Sequence, residues 1–227
     1  PWVDGQANPL APSNCHGVTI GATSHREKLN AYSDAMAAMY HQNSDNIEAA
    51  LFYALSLVAL AKPDDETYSQ QLKAGEIMQA FVQSHPNHPG LAHYIIHAYD
   101  TPNLAQRALD AAQRYAGIAP DSAHARHMPS HIFQRLGMWQ DSIRSNLAST
   151  ESARNYAAKI SMLGHWDEEL HGLDFLTNAY MQTGDYDRAR EVKDYIASMK
   201  SFYPENFKVA YVLSATPARY ELERKNW

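Results

Sequence analysis

The chain has 227 residues, 45% of them hydrophobic, and a net charge of −6 carried by scattered acids. No basic stripe is present, which argues against nucleic acid as the main partner. No apolar run reaches the roughly 18–20 residues of a membrane span, and the longest, 49–61, is interrupted by Ser56 and reads as a buried helix.

Residues 1–23 are dominated by Pro, Gly, Asn and Ser and predict an extended arm. The single cysteine, Cys15, can make no internal disulfide and leaves the redox compartment undecided. The chain opens at Pro1 without an initiator Met, which suggests a processed or partial product and an exported or periplasmic residence.

From Ser24 to the end, 24–227, the pattern is helical and points to one domain. Ser24 is the expected N-cap of a first helix, with Glu27 as its capping-box partner and Leu29, Tyr32, Met36, Met39 and Tyr40 on one face. A helix from Asn46 to about Leu60 follows. A loop at Pro63, Asp64 and Asp65 then leads to a helix through Leu72, Ile77, Met78, Phe81 and Val82, closing a hairpin at 46–86.

A second hairpin, 87–120, starts at His88-Pro89-Gly90, where proline fits the first helical turn, and restarts at Thr101-Pro102. The third, 121–160, is capped by Asp121 or Ser122, with Leu136-Gly137 ending its first helix. A lengthened helix through 155–160 and a loop to Gly164 lead to a fourth hairpin at 165–203 and a further helix at 207–224.

Four histidines fall in two matched pairs, His93/His97 and His127/His131, spaced four within a pair and 34 between pairs. On a helix, spacing four places both imidazoles on one face. Pro86 and Pro120, Ala74 and Ala108, and Tyr99 and Phe133 repeat the 34-residue period independently of the histidines. A fourth copy at Gly184-Asp185-Tyr186 matches Gly137-Met138-Trp139 at a distance of 47, one period plus an insertion of 13.

With this period the chain resembles the tetratricopeptide-repeat family. The likeness covers about 46–203, with the small residue of each second helix at Ala74, Ala108, Ser142 and Ala189. Two segments, His88-Pro89-Gly90-Leu91-Ala92-His93-Tyr94-Ile95-Ile96-His97-Ala98-Tyr99-Asp100 and His127-Met128-Pro129-Ser130-His131-Ile132-Phe133, look like a mainly bacterial subgroup of such proteins. The resemblance implies an all-α, right-handed superhelical solenoid of stacked antiparallel hairpins, with the first helix of each repeat lining a concave groove. In that register His93 and His127 share one groove-facing position, His97 and His131 another, and His124 and His171 a third. Asp174 and Asn178 take the first two in the next repeat.

Convergent imidazoles without thiolates suit a divalent transition metal, Zn, Cu, Fe or Ni. The expected ligands are His93, His97, His127 and His131, two from each helix around one ion, with His124, His171 and Asp174 as further ligands or supporting partners. Six imidazoles also allow two clusters of three around a copper pair. A lone groove histidine is ordinarily a hydrogen-bonded surface group or a peptide contact. The doubled spacing is what tells against that reading here.

His85 and His88 read as caps or turn residues, and His16, His25, His41 and His165 as surface. Pro129, between His127 and His131, breaks a helix rule beside the histidines and predicts a kink. No nucleophile elbow, phosphate loop or zincin helix is present. The rival function is a non-enzymatic scaffold whose groove holds a peptide or protein partner.

Overall fold

The computed structural model describes residues 24–225, so the expected arm at 1–23 lies outside the described residues. The fold is all-α, and among the described residues the one exception is a two-residue parallel strand pair. The described residues divide after Pro86 into two compact units, where composition points to one domain.

The first unit holds α1 (His25–Gln42), α2 (Ile47–Leu60) and α3 (Ser69–Gln79). At the start of α1, Ser24 accepts from the Glu27 backbone while Glu27 returns a bond to the Ser24 backbone, closing both halves of a capping box. The apolar run becomes α2, begun by Asn46, whose Oδ1 accepts from the Glu48 and Ala49 amides. Ser56, the polar interruption, is buried and satisfied: its hydroxyl donates to the Tyr53 carbonyl at 2.7 Å and accepts from the Ser33 hydroxyl at 2.9 Å. α2 packs on both α1 and α3.

The second unit runs through α4 (Pro89–Tyr99), a 3-10 turn (Ala105–Ala108), α5 (Leu109–Ile118), α6 (Ala123–His127), α7 (Pro129–Arg135), α8 (Trp139–Lys159), α9 (Asp167–Gln182), α10 (Tyr186–Ser198) and α11 (Phe207–Glu223). The 21-residue α8 is the lengthened helix expected through 155–160. Between Thr101-Pro102 and α5 the chain makes turns and the 3-10 segment, so that helix starts later than the sequence suggests.

Helices pack on their nearest neighbours in a regular way. α4 touches α5 and α7, α5 touches α6 and α7, and α6 touches α8 and α9. α8 lies along α9, and α9 touches α10 and α11. The α8–α9 contact is close because Gly172 lacks a side chain; a Cβ there would sit 2.9 Å from Thr150 Cγ2. Ile143, Leu170, Leu173, Leu176, Val212 and Tyr220 belong to the apolar core behind α9. Burying such side chains contributes about 1.5–3 kcal/mol each.

Ahead of α9, β1 (His165–Trp166) pairs in parallel with β2 (Phe202–Tyr203). Gly164 makes this possible, since a Cβ on it would lie 2.7 Å from the Ser201 carbonyl carbon. His165 and Trp166 therefore precede α9 instead of opening it. His165 is no free surface residue either: it is half-buried and its Nδ1 donates to Glu169 Oε2 at 2.9 Å. Glu169, buried, also accepts from Arg154 and from the Tyr195 hydroxyl.

Candidate metal centre

α4 begins at Pro89 because proline tolerates the first helical position, and His88 caps it, its Nδ1 accepting from the Leu91 amide at 3.2 Å. That start sets His93 and His97 on one face of α4. α6 is begun by Ser122, whose hydroxyl accepts from the Ala125 amide, and it carries His124 and His127. Pro129 ends α6 and starts α7, so the predicted kink is a division of one helix into two at Met128. The His131 amide turns to the Met128 carbonyl instead of reaching back four residues. His171 comes from α9.

The histidines assemble as two triads instead of the single quartet expected from their spacing. His93, His97 and His124 form one, and His127, His131 and His171 the other, with one ligating atom from each residue lying within 4.8 Å of the others in its group. In the first triad His93 Nε2 lies 3.0 Å from His97 Nε2 and 3.1 Å from His124 Nε2. In the second, His127 Nε2 lies 3.0 Å from His131 Nε2, and the His127 and His171 ring centres are 4.3 Å apart. His124 and His127, from adjacent triads, have ring centres 6.4 Å apart.

The outer nitrogens are held by acceptors, which fixes the tautomers. Asn146 is fully buried and spends its amide nitrogen on the Ser142 carbonyl at 2.9 Å, so its Oδ1 faces the His127 ring. His127 Nδ1 must therefore be the donor in their 2.7 Å hydrogen bond. His131 Nδ1 donates to Asp100 Oδ2 at 2.9 Å, and Arg135 holds the other oxygen of that carboxylate at 2.8 Å. With both rings neutral, the form that binds metal, both Nε2 atoms of this pair carry lone pairs and face each other across 3.0 Å. A cation between them removes that repulsion. Two nitrogens bound to one tetrahedral ion at about 2.0–2.1 Å lie about 3.3–3.4 Å apart, close to what is seen.

The first triad has a looser version of the same support. His124 Nδ1 stands 3.5 Å from Glu168 Oε2, and Lys208 grips the other Glu168 oxygen at 2.6 Å. A single proton on His93 Nε2 satisfies at most one of its two nitrogen neighbours. The second triad is the more enclosed, with His127 only 1% exposed and Phe175 packed against His127, His131 and His171.

These surroundings keep imidazoles neutral, the form in which they bind metal. Burial, then the neighbouring His97 and His124, pushes His93 down to about 3. Burial, then His131, pushes His171 to about 4. Burial and the other rings lower His97 as well, and His127 well below the ordinary range despite its bond to Asn146. Burial acts to raise Asp100, but its contacts with His131 and Arg135 outweigh this and hold it below its usual value. Glu168 is held at about 2 by its bond to His124, helped by Lys208.

Asp174 belongs to neither triad. It is buried and occupied by Thr216 Oγ1 at 2.6 Å and Arg219 at 2.7 Å. Asn178 donates to Gln134. Sequence reading did not single out Asn146, Glu168 or Phe175, and treated Asp100 only as part of a longer segment. Asp100, Asn146 and Glu168 each contact a histidine on another helix, and Phe175, four residues after His171 on α9, also packs on His127 and His131, contacts that spacing along the chain does not show.

A cavity of about 680 Å³ reaches His171, lined by Phe175, Phe207, Tyr211, Lys208 and Arg219. A smaller one of about 310 Å³ reaches His131 and Asp100 and shares Gln134, Arg135, Phe175 and Asn178 with the first. Access to the second triad therefore passes beside Phe175. Comparison with family models and with curated proteins finds no match to this chain.

Proposed function

We propose that this is a transition-metal-binding protein of tetratricopeptide-repeat type, with metal held at two three-histidine centres. The observation that carries the reading is the pair of Nε2 lone pairs of His127 and His131, turned on each other at 3.0 Å by Asn146 and Asp100. With both rings neutral, that arrangement is repulsive. With Zn(II), copper, Fe(II) or Ni(II) between the nitrogens it is a ligand set.

Two features support the repeat architecture, a right-handed solenoid whose groove the histidines line. Within the second unit each helix packs on the next, and α5, α6 and α9 also pack on the next but one, contacts that stacked hairpins make. The four small landmark residues Ala74, Ala108, Ser142 and Ala189 are all fully buried. Three imidazoles per centre also leave a coordination position open for water or substrate, which suits a metalloenzyme, since bound water then ionises near about pH 7.

Elemental analysis of the purified chain beside the His97→Ala/His131→Ala double variant tests the proposal. Stoichiometric metal in the wild type and its loss in the variant is the expected result. Wild type without metal, even after reloading, or a variant that retains all of it, overturns the reading and leaves a groove for a peptide or protein partner as the better account.

A further inference from the structure

We infer that the two triads form one dinuclear copper centre that binds dioxygen between its ions as Cu(I), an inference that rests on the metal-binding reading above. Three observations carry it. The first is symmetry of supply: both centres offer three imidazoles, and neither includes a carboxylate or thiolate. The second is proximity. His124 belongs to one triad and His127 to the other, yet both sit on the five-residue α6 with ring centres 6.4 Å apart.

The third is charge. Adjacent divalent ions repel about four times as strongly as adjacent monovalent ones at the same distance. A site for two divalent ions therefore needs surplus negative charge near them. The carboxylates that stand beside these histidines are engaged by cations and lie outside both ligand sets, Asp100 with Arg135, Asp174 with Arg219, and Glu168 with Lys208, which it shares with Asp167. Six imidazole ligands, with no carboxylate among them, add no negative charge to the ions and fit a monovalent pair better than a divalent one. Copper is the imidazole-binding transition metal with a stable monovalent state, and three nitrogens satisfy Cu(I) without a fourth ligand.

Dioxygen supplies the missing negative charge. One electron leaves each Cu(I), the oxygen–oxygen bond order falls from two to one, and a dianion comes to lie between two Cu(II) ions. No proton is consumed, and return of both electrons releases dioxygen unchanged. Phe175, packed on three rings of the enclosed triad, limits the water that would otherwise protonate and displace the bound dianion.

The test is to strip the full chain with chelator, reload it with Cu(I) under nitrogen, remove excess metal and then admit air. Expected are about two coppers per chain, a near-ultraviolet charge-transfer band that appears with air and fades on purging, and no paramagnetic signal in either state. Two coppers that oxidise to ordinary isolated Cu(II) signals overturn the coupled pair while leaving metal binding intact. Failure to retain any transition metal overturns both. His124→Ala, at a half-exposed side chain, should retain about half the copper, show no band and give an isolated Cu(II) signal in air. The same outcome is expected for His97→Ala, which serves if His124→Ala is misfolded by circular dichroism. A band that persists in a folded variant of either kind overturns the inference.

Discussion

Asn146 accepts a 2.7 Å hydrogen bond from the outer nitrogen of His127, and neither side chain reaches solvent. The amide comes from α8 and the imidazole from α6, so a contact between two helices decides which nitrogen of the ring is free. Removing the acceptor releases the tautomer and the ring angle together.

Asn146→Ala is therefore expected to weaken metal binding at the enclosed triad by about 10–100-fold, the usual cost of losing a partner behind a ligand. Competition with a chromophoric chelator measures it. Unchanged affinity in a folded variant would show that Asn146 does not orient His127.

Asp100→Ala removes the acceptor behind His131 and leaves Arg135 beside the ring. A loss of about 10-fold or more is expected at the same triad, with His93, His97 and His124 still loaded. Metal stoichiometry falling by half at limiting metal, and recovering at high metal, is the pattern to look for. Equal loss from both triads would contradict the assignment of Asp100 to one of them.

Acid should destabilise the metal-free protein. In the folded chain His93 ionises near 3 and His171 near 4, against about 6.5 when unfolded. Between those limits the unfolded chain binds more protons, so stability rises with pH across the window and is lost as pH falls from 6.5 toward 4. Glu168, held at about 2 against an ordinary 4.5, adds an effect of the same sign at lower pH. Thermal melts in chelator should show a midpoint falling through this range and flat above pH 7. A midpoint indifferent to pH between 6.5 and 4 would refute the buried, neutral state of these rings.

Gly172→Ala places a methyl group 2.9 Å from Thr150 Cγ2. α9 must then move away from α8, at a cost of about 1–3 kcal/mol, and it carries His171 with it. Chemical denaturation reads the first effect and metal titration the second. Leu170→Ala, in the core behind the same helix, is expected to cost about 2–5 kcal/mol.

The helices were legible in the sequence wherever a cap announced them. Ser24 with Glu27, Asn46, His88 and Ser122 each bond the first turn they precede. Less legible were segments governed by close approach. The start of α9 is displaced by a strand pair that exists because Gly164 lets the chain near Ser201 pass by, a contact between distant residues. The histidine pairs were visible because spacing four is local and spacing 34 is periodic. Their sorting into threes was not, because the crossing of α4, α6 and α9 determines which rings meet. The kink expected at Pro129 is a division of the helix, and the Nε2 atoms of His127 and His131 meet at 3.0 Å across it.

One short helix therefore has a role out of proportion to its length. α6 supplies a ring to each triad, while the remaining rings belong to α4, α7 and α9. Filling either triad pins this hub, so a ring of the empty triad is steadied before any ion reaches it.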